Sequence, residues 1–306
     1  MLNKTSILSA CDLSVDDILK IMETADSFTD ISKREIKKVP TLRGKTVVNL
    51  FFEPSTRTKT SFEVAAKRLS ADMINFSAPT SSLNKGESIM DTLRTILAMQ
   101  VDLIVIRHSD SGTVKLVDNM VEVPVINAGD GKHQHPTQAL LDLYTIRNRF
   151  KKFEGLKVAI AGDFLNSRVA RSDIAVFEKM GMDVCLVAPS MLLPEDHSGF
   201  KVYHNIDDVI GEVDVLYLLR MQFERQDRKF YPSVREYNRF LSLNMERLGM
   251  MKQGAAVMHP GPVNRGIEIS DEVMGDRKSP SDRVLIEEQV TGGVAVRMAL
   301  LYLVLG

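Results

Sequence analysis

The stretch that decides the fold is "FFEPSTRTKTSFEVAAKRL", residues 51–69. An apolar run over 45–52 stops at a Glu-Pro pair, and apolar residues return at helical spacing over 56–70. This pattern predicts a strand followed directly by a helix. The joint holds hydroxyl and guanidinium groups, on Ser55, Thr56, Arg57 and Thr58. Because a helix start favours negative charge, the stretch predicts an anion site.

Similar strand and helix patterns alternate along the whole chain. Apolar runs lie at 45–52, 72–77, 101–107, 123–128, 156–163, 182–189, 213–220 and 254–260. Helical patterns lie between them, as at 56–70, 87–100 and 137–150. Runs that are apolar throughout are typical of parallel strands covered on both faces. The alternation therefore predicts an α/β fold of two doubly wound parallel-sheet domains joined by a long helix.

The boundary between the domains is predicted near Arg149 to Glu154, a polar stretch before a new strand. We expect domains at 1–150 and 151–306, with an apolar helix at about 290–305 packing back on the first domain. The stretch 223–244 shows no clean period and is expected to form a long charged loop, a feature that is often functional.

Composition narrows the class of protein. The net charge of −1 gives no support for a nucleic-acid or anionic-membrane partner. Cys11 and Cys185 are too far apart in sequence to suggest a metal-ligand pair. The first residues lack a secretory pattern, and Arg297 interrupts the final apolar segment, so we expect no membrane span. A cytoplasmic enzyme is the working expectation.

Polar and basic clusters follow six of the predicted strands. They are "EPSTRT", Arg107 with His108, "NAGDGKHQHPTQ", "GDFLNSRVARS", Arg220 with Gln222, and "HPGPVNRG". In open α/β sheets, ligands bind outside the carboxyl ends of the strands. Two such sheets facing each other would place these clusters around one cleft.

Each cluster also has a simpler interpretation. Ser or Thr at the start of a helix is often a plain N-cap, although four hydroxyl or guanidinium residues exceed what a cap needs. Arg168 and Arg220 are candidate carboxylate clamps or surface arginines. His133 and His135 alone are a weak metal signal. The stretch "KVAIAGDFLNSR" lacks the G-x-G-x-x-G fingerprint of dinucleotide-binding turns.

The motifs resemble those of the aspartate and ornithine carbamoyltransferase family. The opening stretch resembles the family's carbamoyl phosphate signature. Five further stretches of the chain resemble the family's remaining sequence blocks in order and spacing. They are "HPTQALLDL", "AGDFLNSRVARS", "LLRMQFER", "MHPGPVNRG" and "VAVRMALL". "HPTQ" and "HPGP" replace the H-P-C-Q and H-C-L-P of the ornithine branch, and "RMQFER" resembles the aspartate-binding segment. The resemblance therefore favours the aspartate branch and covers nearly the whole chain.

The resemblance implies transfer of a carbamoyl group from carbamoyl phosphate to L-aspartate, an early step toward pyrimidines. The amine would attack directly, with no metal, cofactor or covalent intermediate. By resemblance, Ser55, Thr56, Arg57 and Thr58 hold the phosphate. The carbamoyl oxygen would contact Thr58, Arg107 and His135. The carbamoyl amide would contact Gln138 and the backbone at Pro260 and Gly261. The aspartate carboxylates would contact Lys85, Arg168, Arg220 and Gln222.

The family is a homotrimer with shared sites, so Lys85 and Ser81 (or Ser82) would reach into the neighbouring subunit's site. A regulatory chain or a dihydroorotase partner is not readable from the residues. Two alternatives remain: a carbamoyltransferase for ornithine or another amino acid, and a non-catalytic scaffold that binds phosphate compounds. Such a scaffold would be expected to lack Arg57, Arg107 or His135, and all three are present.

Overall fold

The computed structural model describes residues 6–77, 88–194, 196–222, 233–276 and 279–306. The chain forms two compact units: Met1–Tyr144 with Val290–Gly306, and Thr145–Gln289. Each unit contains one parallel sheet, and the C-terminal helix belongs mainly to the first unit. The predicted fold class is confirmed. The predicted ligand-binding domains at 1–150 and 151–306 stay a prediction. The division into compact units does not show which residues bind which ligand.

The first unit is a four-stranded parallel sheet in the order β2-β1-β3-β4. Its elements are α1 (Val15–Ser32), β1 (Thr46–Phe51), α2 (Thr56–Arg68), β2 (Asp72–Ser77), α3 (Ile89–Ala98), β3 (Leu103–His108), α4 (Thr113–Asp118) and β4 (Val125–Asp130). Helix α5 (Pro136–Phe150) continues into the second unit. The strand order reverses between β1 and β3, and such switch points are where open sheets bind ligands.

Strands such as β1 are apolar along most of their length because their side chains are buried on both faces of the sheet. Five of the six residues of β1 and all six of β4 are buried. Val48 and Leu50 of β1 pack in one core with Leu93 and Ile96, which lie one helical turn apart on α3. Helices therefore cover this sheet, as expected for a parallel arrangement.

The second unit is a five-stranded parallel sheet in the order β7-β6-β5-β8-β9. Its elements are β5 (Lys157–Ala161), α6 (Arg168–Lys179), β6 (Asp183–Val187), β7 (Lys201–Tyr203), β8 (Val215–Leu218), α7 (Val234–Leu241), α8 (Met245–Met250), β9 (Ala256–Met258) and α9 (Asp271–Met274). Single 3₁₀ turns lie at Ser190–Leu192 and Ile206–Asp208. Here the order reverses between β5 and β8.

The expectation of a long loop over 223–244 was wrong for its described part. Residues 234–241 form α7, whose N-cap Ser233 accepts a hydrogen bond from the Glu236 backbone. Only Tyr237 and Leu241 are buried on this two-turn helix, so the apolar pattern is too short to reveal its period. Residues 223–232 lie outside the described part of the chain. The sequence also missed β7, which has three residues and no apolar run.

The final helix, α10 (Ile286–Leu305), is long and apolar enough to cross a membrane by composition alone. Just over half of its most apolar window is buried inside the fold. Tyr302 makes an edge-to-face contact with Phe28 of α1, with ring centroids 5.7 Å apart. The helix therefore resembles the core helix of a globular fold.

A glycine lets the loops after β5 and β8 approach each other. Gly162 follows β5 with φ of +130°, a conformation that side chains rarely adopt. A Cβ at this position would lie 3.0 Å from Leu219 Cβ and 3.1 Å from the Tyr237 hydroxyl. The close approach brings together the two loops that carry Arg168 and Arg220.

We expect Gly162→Ala to lower the free energy of unfolding by about 1–3 kcal/mol, because it adds both backbone strain and overpacking. Gly254→Ala is the matched control. Gly254 also has a positive φ, +83°, but a Cβ there would meet nothing within 4 Å. Urea unfolding of both variants measures the difference. Equal losses of unfolding free energy in the two variants would show that overpacking after β5 adds nothing to the backbone strain.

Candidate active site

The carboxyl end of the first sheet gathers the residues predicted to bind carbamoyl phosphate. Phe51 of β1 lies in register with Arg107 of β3, so the start of α2 adjoins the end of β3. β4 is paired with β3 on the other side and leads to His135, just before α5. The structure thus collects these groups at the switch point of one sheet.

The start of α2 differs from those of the other serine-capped helices. At α1, α3, α6, α7 and α9, the N-cap serine accepts a hydrogen bond from a backbone N–H of the first turn. Ser55 occupies the same position on α2 and makes no such bond. The first turn of α2 also lacks acidic residues. A plain N-cap therefore does not account for Ser55, and the helix start suits an anion.

Arg107 is held by the segment after β1 and by β4. Its side chain is 13% exposed, and its Nη2 lies 2.6 Å from Oε1 of Glu53. Its Nη1 donates to the carbonyl of Ala128 at 3.1 Å. Glu53 is also mostly buried, at 15% exposure. Two fixed contacts at the edge of the sheet orient the guanidinium group before any ligand binds.

His135 and Gln138 begin α5 and are both buried. The His135 carbonyl accepts the backbone N–H groups of Gln138 and Ala139, which starts the helix. His135 Nδ1 lies 3.5 Å from the Thr137 hydroxyl. Its neighbour His133 is half exposed and contacts Asp130 at 3.1 Å. The structure therefore gives the two histidines different surroundings.

His108, at the end of β3, has a different environment from Arg107. Its Nδ1 accepts the backbone N–H of Asp110 at 2.9 Å, and its ring lies 4.9 Å from that of Phe52. Burial lowers the pKa of His108, against the opposing effect of nearby carboxylates. Both features favour a neutral imidazole with a structural role.

The second sheet carries the remaining candidates at its own switch point. Arg168 is the first residue of α6 and is 4% exposed, while Arg220 follows β8, the neighbour of β5. The Gln222 amide donates to the Asn166 carbonyl at 3.0 Å, which ties the segment after β8 to the loop before α6. Arg168, Arg220 and Gln222 therefore lie on two adjoining loops.

A buried glutamate links these loops to the segment after β9. Glu268 accepts the backbone N–H groups of Met221 and Asn264, both at 2.7 Å. Burial raises the pKa of its carboxyl group. His259 Nε2 lies 3.8 Å away, and His259 Nδ1 accepts the Gly261 N–H at 2.8 Å. Pro260 and Gly261 are thereby held at the carboxyl end of β9.

Some predicted positions are not tested by these contacts. Ser81, Ser82 and Lys85 lie outside the described residues, and a single cleft stays a prediction. No cluster of three metal-ligating side chains occurs among the residues that the structure describes. Sequence reasoning gave no role to Glu53 or Glu268. Glu53 precedes the hydroxyl cluster in the sequence. An acidic residue in this basic stretch could have indicated a partner for a nearby arginine.

Two parallel α/β units, each with arginines at the switch point of its sheet, define a class of enzyme that handles small anionic molecules. The family model "Aspartate/ornithine carbamoyltransferase, carbamoyl-P binding domain" matches residues 5–148. The model for the family's Asp/Orn binding domain matches residues 154–304. The chain belongs to the aspartate/ornithine carbamoyltransferase family.

Full-length relatives are similar to the chain in sequence and in structure. It is 52% identical over 99% of its length to the aspartate carbamoyltransferase catalytic subunit of Syntrophus aciditrophicus, covering 98% of that protein. The corresponding protein of Thermobifida fusca is 53% identical over 98% of this chain and 95% of its own length. Aspartate transcarbamoylase from Trypanosoma cruzi, in complex with carbamoyl phosphate and aspartate, is 31% identical with a TM-score of 0.87, covering 98% of this chain and 97% of its own.

We expect Ser55→Ala to leave the free energy of unfolding within about 0.5 kcal/mol of the native value, because no cap bond is lost. Ser14→Ala, which removes the capping box of α1, should cost about 1 kcal/mol. Conversely, Ser55→Ala should weaken binding of inorganic phosphate about tenfold, since a hydrogen bond to a charged group is lost. Urea unfolding and calorimetric titration measure the two effects. A Ser55→Ala protein that is destabilised but binds phosphate normally would restore the capping interpretation.

Proposed function

We propose that this chain transfers the carbamoyl group of carbamoyl phosphate to the amine of L-aspartate, giving N-carbamoyl-L-aspartate and phosphate. The observation that carries the proposal is the start of α2. Ser55 occupies the N-cap position there without making a cap hydrogen bond, and the guanidinium of Arg107 is fixed at the same edge of the sheet. The full-length relatives named aspartate carbamoyltransferase support the same reaction.

The phosphate subsite is formed by the first turn of α2. N–H groups at a helix start lack intrahelical acceptors and bind phosphate oxygens. The hydroxyls of Ser55, Thr56 and Thr58 add donors, and Arg57 adds a planar fork that matches two phosphate oxygens. Arg57 also stabilises the charge that grows on the leaving phosphate.

The carbamoyl subsite uses Thr58, Arg107 and His135 as donors to the carbamoyl oxygen. Glu53 and Ala128 already orient Arg107, so little reorganisation is needed when charge develops on that oxygen. Gln138 and the backbone at Pro260 and Gly261 contact the carbamoyl amide, with Gly261 held by His259.

The second unit supplies the aspartate subsite through Arg168, Arg220 and Gln222. L-Aspartate has two carboxylates, which call for cations and planar donors. Ornithine would call for an acidic partner for its side-chain amine instead. The nearby Glu268 does not fill that role, since both its oxygens accept backbone N–H groups and its burial disfavours the charged form.

The reaction then proceeds by direct attack of the aspartate amine on the carbamoyl carbon. The new C–N bond forms, the C–O bond to phosphate breaks, and the amine proton leaves with the phosphate. Orientation of the two substrates and stabilisation of the oxygen charges supply the rate enhancement.

The assembly proposed for the chain is a homotrimer with shared active sites in the cytoplasm, acting in pyrimidine biosynthesis. Lys85 and Ser81 (or Ser82) complete the site of the adjacent subunit, with Lys85 on the aspartate. The name "catalytic subunit" of the relatives supports an assembly of more than one chain.

We expect Arg57→Ala to lower kcat for carbamoyl aspartate formation by about 10²–10³, because a preorganised cation at the leaving group is lost. Arg43→Ala is the matched control. Arg43 is exposed and precedes β1, at the opposite end of the strand from the site. Steady-state assays with carbamoyl phosphate and L-aspartate compare both with the native protein. Turnover near the native value in Arg57→Ala would refute the phosphate assignment.

A mixing experiment tests the shared site. Arg57→Ala and Lys85→Ala chains are each expected to have strongly reduced activity as homotrimers. Hybrid trimers should recover activity, since some sites combine a native α2 from one chain with a native Lys85 from another. Trimers are separated by differently charged tags and assayed. No recovery in verified hybrids would mean that each chain builds its own site.

A further inference from the structure

Asp142 is a buried carboxylate to which neither the sequence analysis nor the proposed mechanism gives a role. It is 0% exposed and lies one helical turn after Gln138 on α5. The Gln138 Nε2 lies 3.1 and 3.2 Å from its two oxygens. An ionised carboxylate can only accept hydrogen bonds, so it fixes the amide with its NH₂ end toward Asp142. The carbonyl end of Gln138 is therefore directed away from Asp142.

A second buried charged group of the first unit, Arg297 of α10, contacts α2. The guanidinium is 4% exposed, donates from Nη1 to the Ser61 hydroxyl at 2.9 Å, and stacks 5.3 Å from the ring centroid of Phe62. Burial lowers the pKa of Arg297 to about 10, with Asp142 opposing the shift, so the group is charged at neutral pH. Ser61 and Phe62 belong to α2, the helix that begins at the phosphate subsite.

A glycine makes room for this arrangement. Gly293 lies one turn before Arg297, and a Cβ there would come within 2.9 Å of Arg297 Nη1 and 3.0 Å of Leu141 Cδ2. The Gly293 carbonyl also accepts from Arg297 Nη1 at 3.4 Å. A side chain at this position would have to displace the ends of the Arg297 and Leu141 side chains.

We propose that Asp142 is a positioning residue that holds Gln138 as a hydrogen-bond acceptor, so that the site selects an acyl phosphate bearing an NH₂ group. The inference rests on the proposed function, in which Gln138 contacts the carbamoyl amide. Acetyl phosphate has a methyl group where carbamoyl phosphate has NH₂. A methyl group leaves the buried Gln138 carbonyl unsatisfied, and sites built to bond an N–H discriminate strongly against such analogues.

The test is Asp142→Asn, which keeps the shape but offers Gln138 both an amide oxygen and an NH₂ group. Gln138 can then rotate its amide by a half turn and lose its fixed acceptor. We expect the dissociation constant for carbamoyl phosphate to rise about tenfold to hundredfold. Inhibition constants of acetyl phosphate and inorganic phosphate should stay within about twofold, because neither ligand donates to Gln138.

Two controls separate positioning from general damage to the fold. Asp17→Asn removes another buried carboxylate of the first unit, from the capping box of α1, and should leave the selectivity unchanged. In a Gln138→Ala background, Asp142→Asn should produce no further loss of selectivity, since the group it positions is already gone. Near-UV circular dichroism and thermal melting verify that each variant folds.

Asp142→Asn removes a negative charge that favours the charged form of the buried Arg297, which can prevent folding. The double variant Asp142→Asn/Arg297→Gln removes both charges and is tested if the single variant does not fold. The same loss of selectivity is expected. Equal weakening of all three ligands, or unchanged selectivity, overturns the inference while the native protein still carbamoylates L-aspartate. Absence of that activity in the native protein would instead refute the proposed function.

Discussion

The start of α2 determines where an anionic substrate binds, and the other groups of the site are arranged around it. Helix N-termini carry N–H groups without intrahelical acceptors, and most serine-capped helices of this chain satisfy one with the serine side chain. At α2 the serine makes no such bond, which leaves the position suited to a bound anion. The parallel sheet then determines which other groups can reach that anion, because β3 ends beside β1 and β4 ends beside β3.

Buried carboxyl groups hold the site groups in place. Glu53 orients Arg107 and Asp142 accepts from the Gln138 amide in the first unit, and Glu268 accepts from the backbone of two segments in the second. Such groups are costly to bury and become favourable only when they are fully hydrogen-bonded or paired. Their presence near the carboxyl edges of the sheets is what a preorganised electrostatic catalyst requires.

Much of this arrangement could be predicted from the sequence because its signals are local. Continuous apolar runs indicated eight of the nine described strands, and "PSTRT" indicated the anion site. The supporting charged groups could not be found in the same way. Whether Glu53 faces Arg107 depends on the register of β1 with β3, and whether Arg297 reaches Ser61 depends on the packing of α10 against α2. Both are long-range contacts that leave no periodic pattern.

The central claim is that the first unit binds carbamoyl phosphate while the arginines of the second select a dicarboxylic amino acid. Its most direct test is product formation by the purified protein with carbamoyl phosphate and either L-aspartate or L-ornithine. We expect carbamoyl aspartate and phosphate with aspartate, and no carbamoyl transfer to ornithine. Turnover with ornithine, or with neither amino acid, would contradict the role given to Arg168, Arg220 and Gln222.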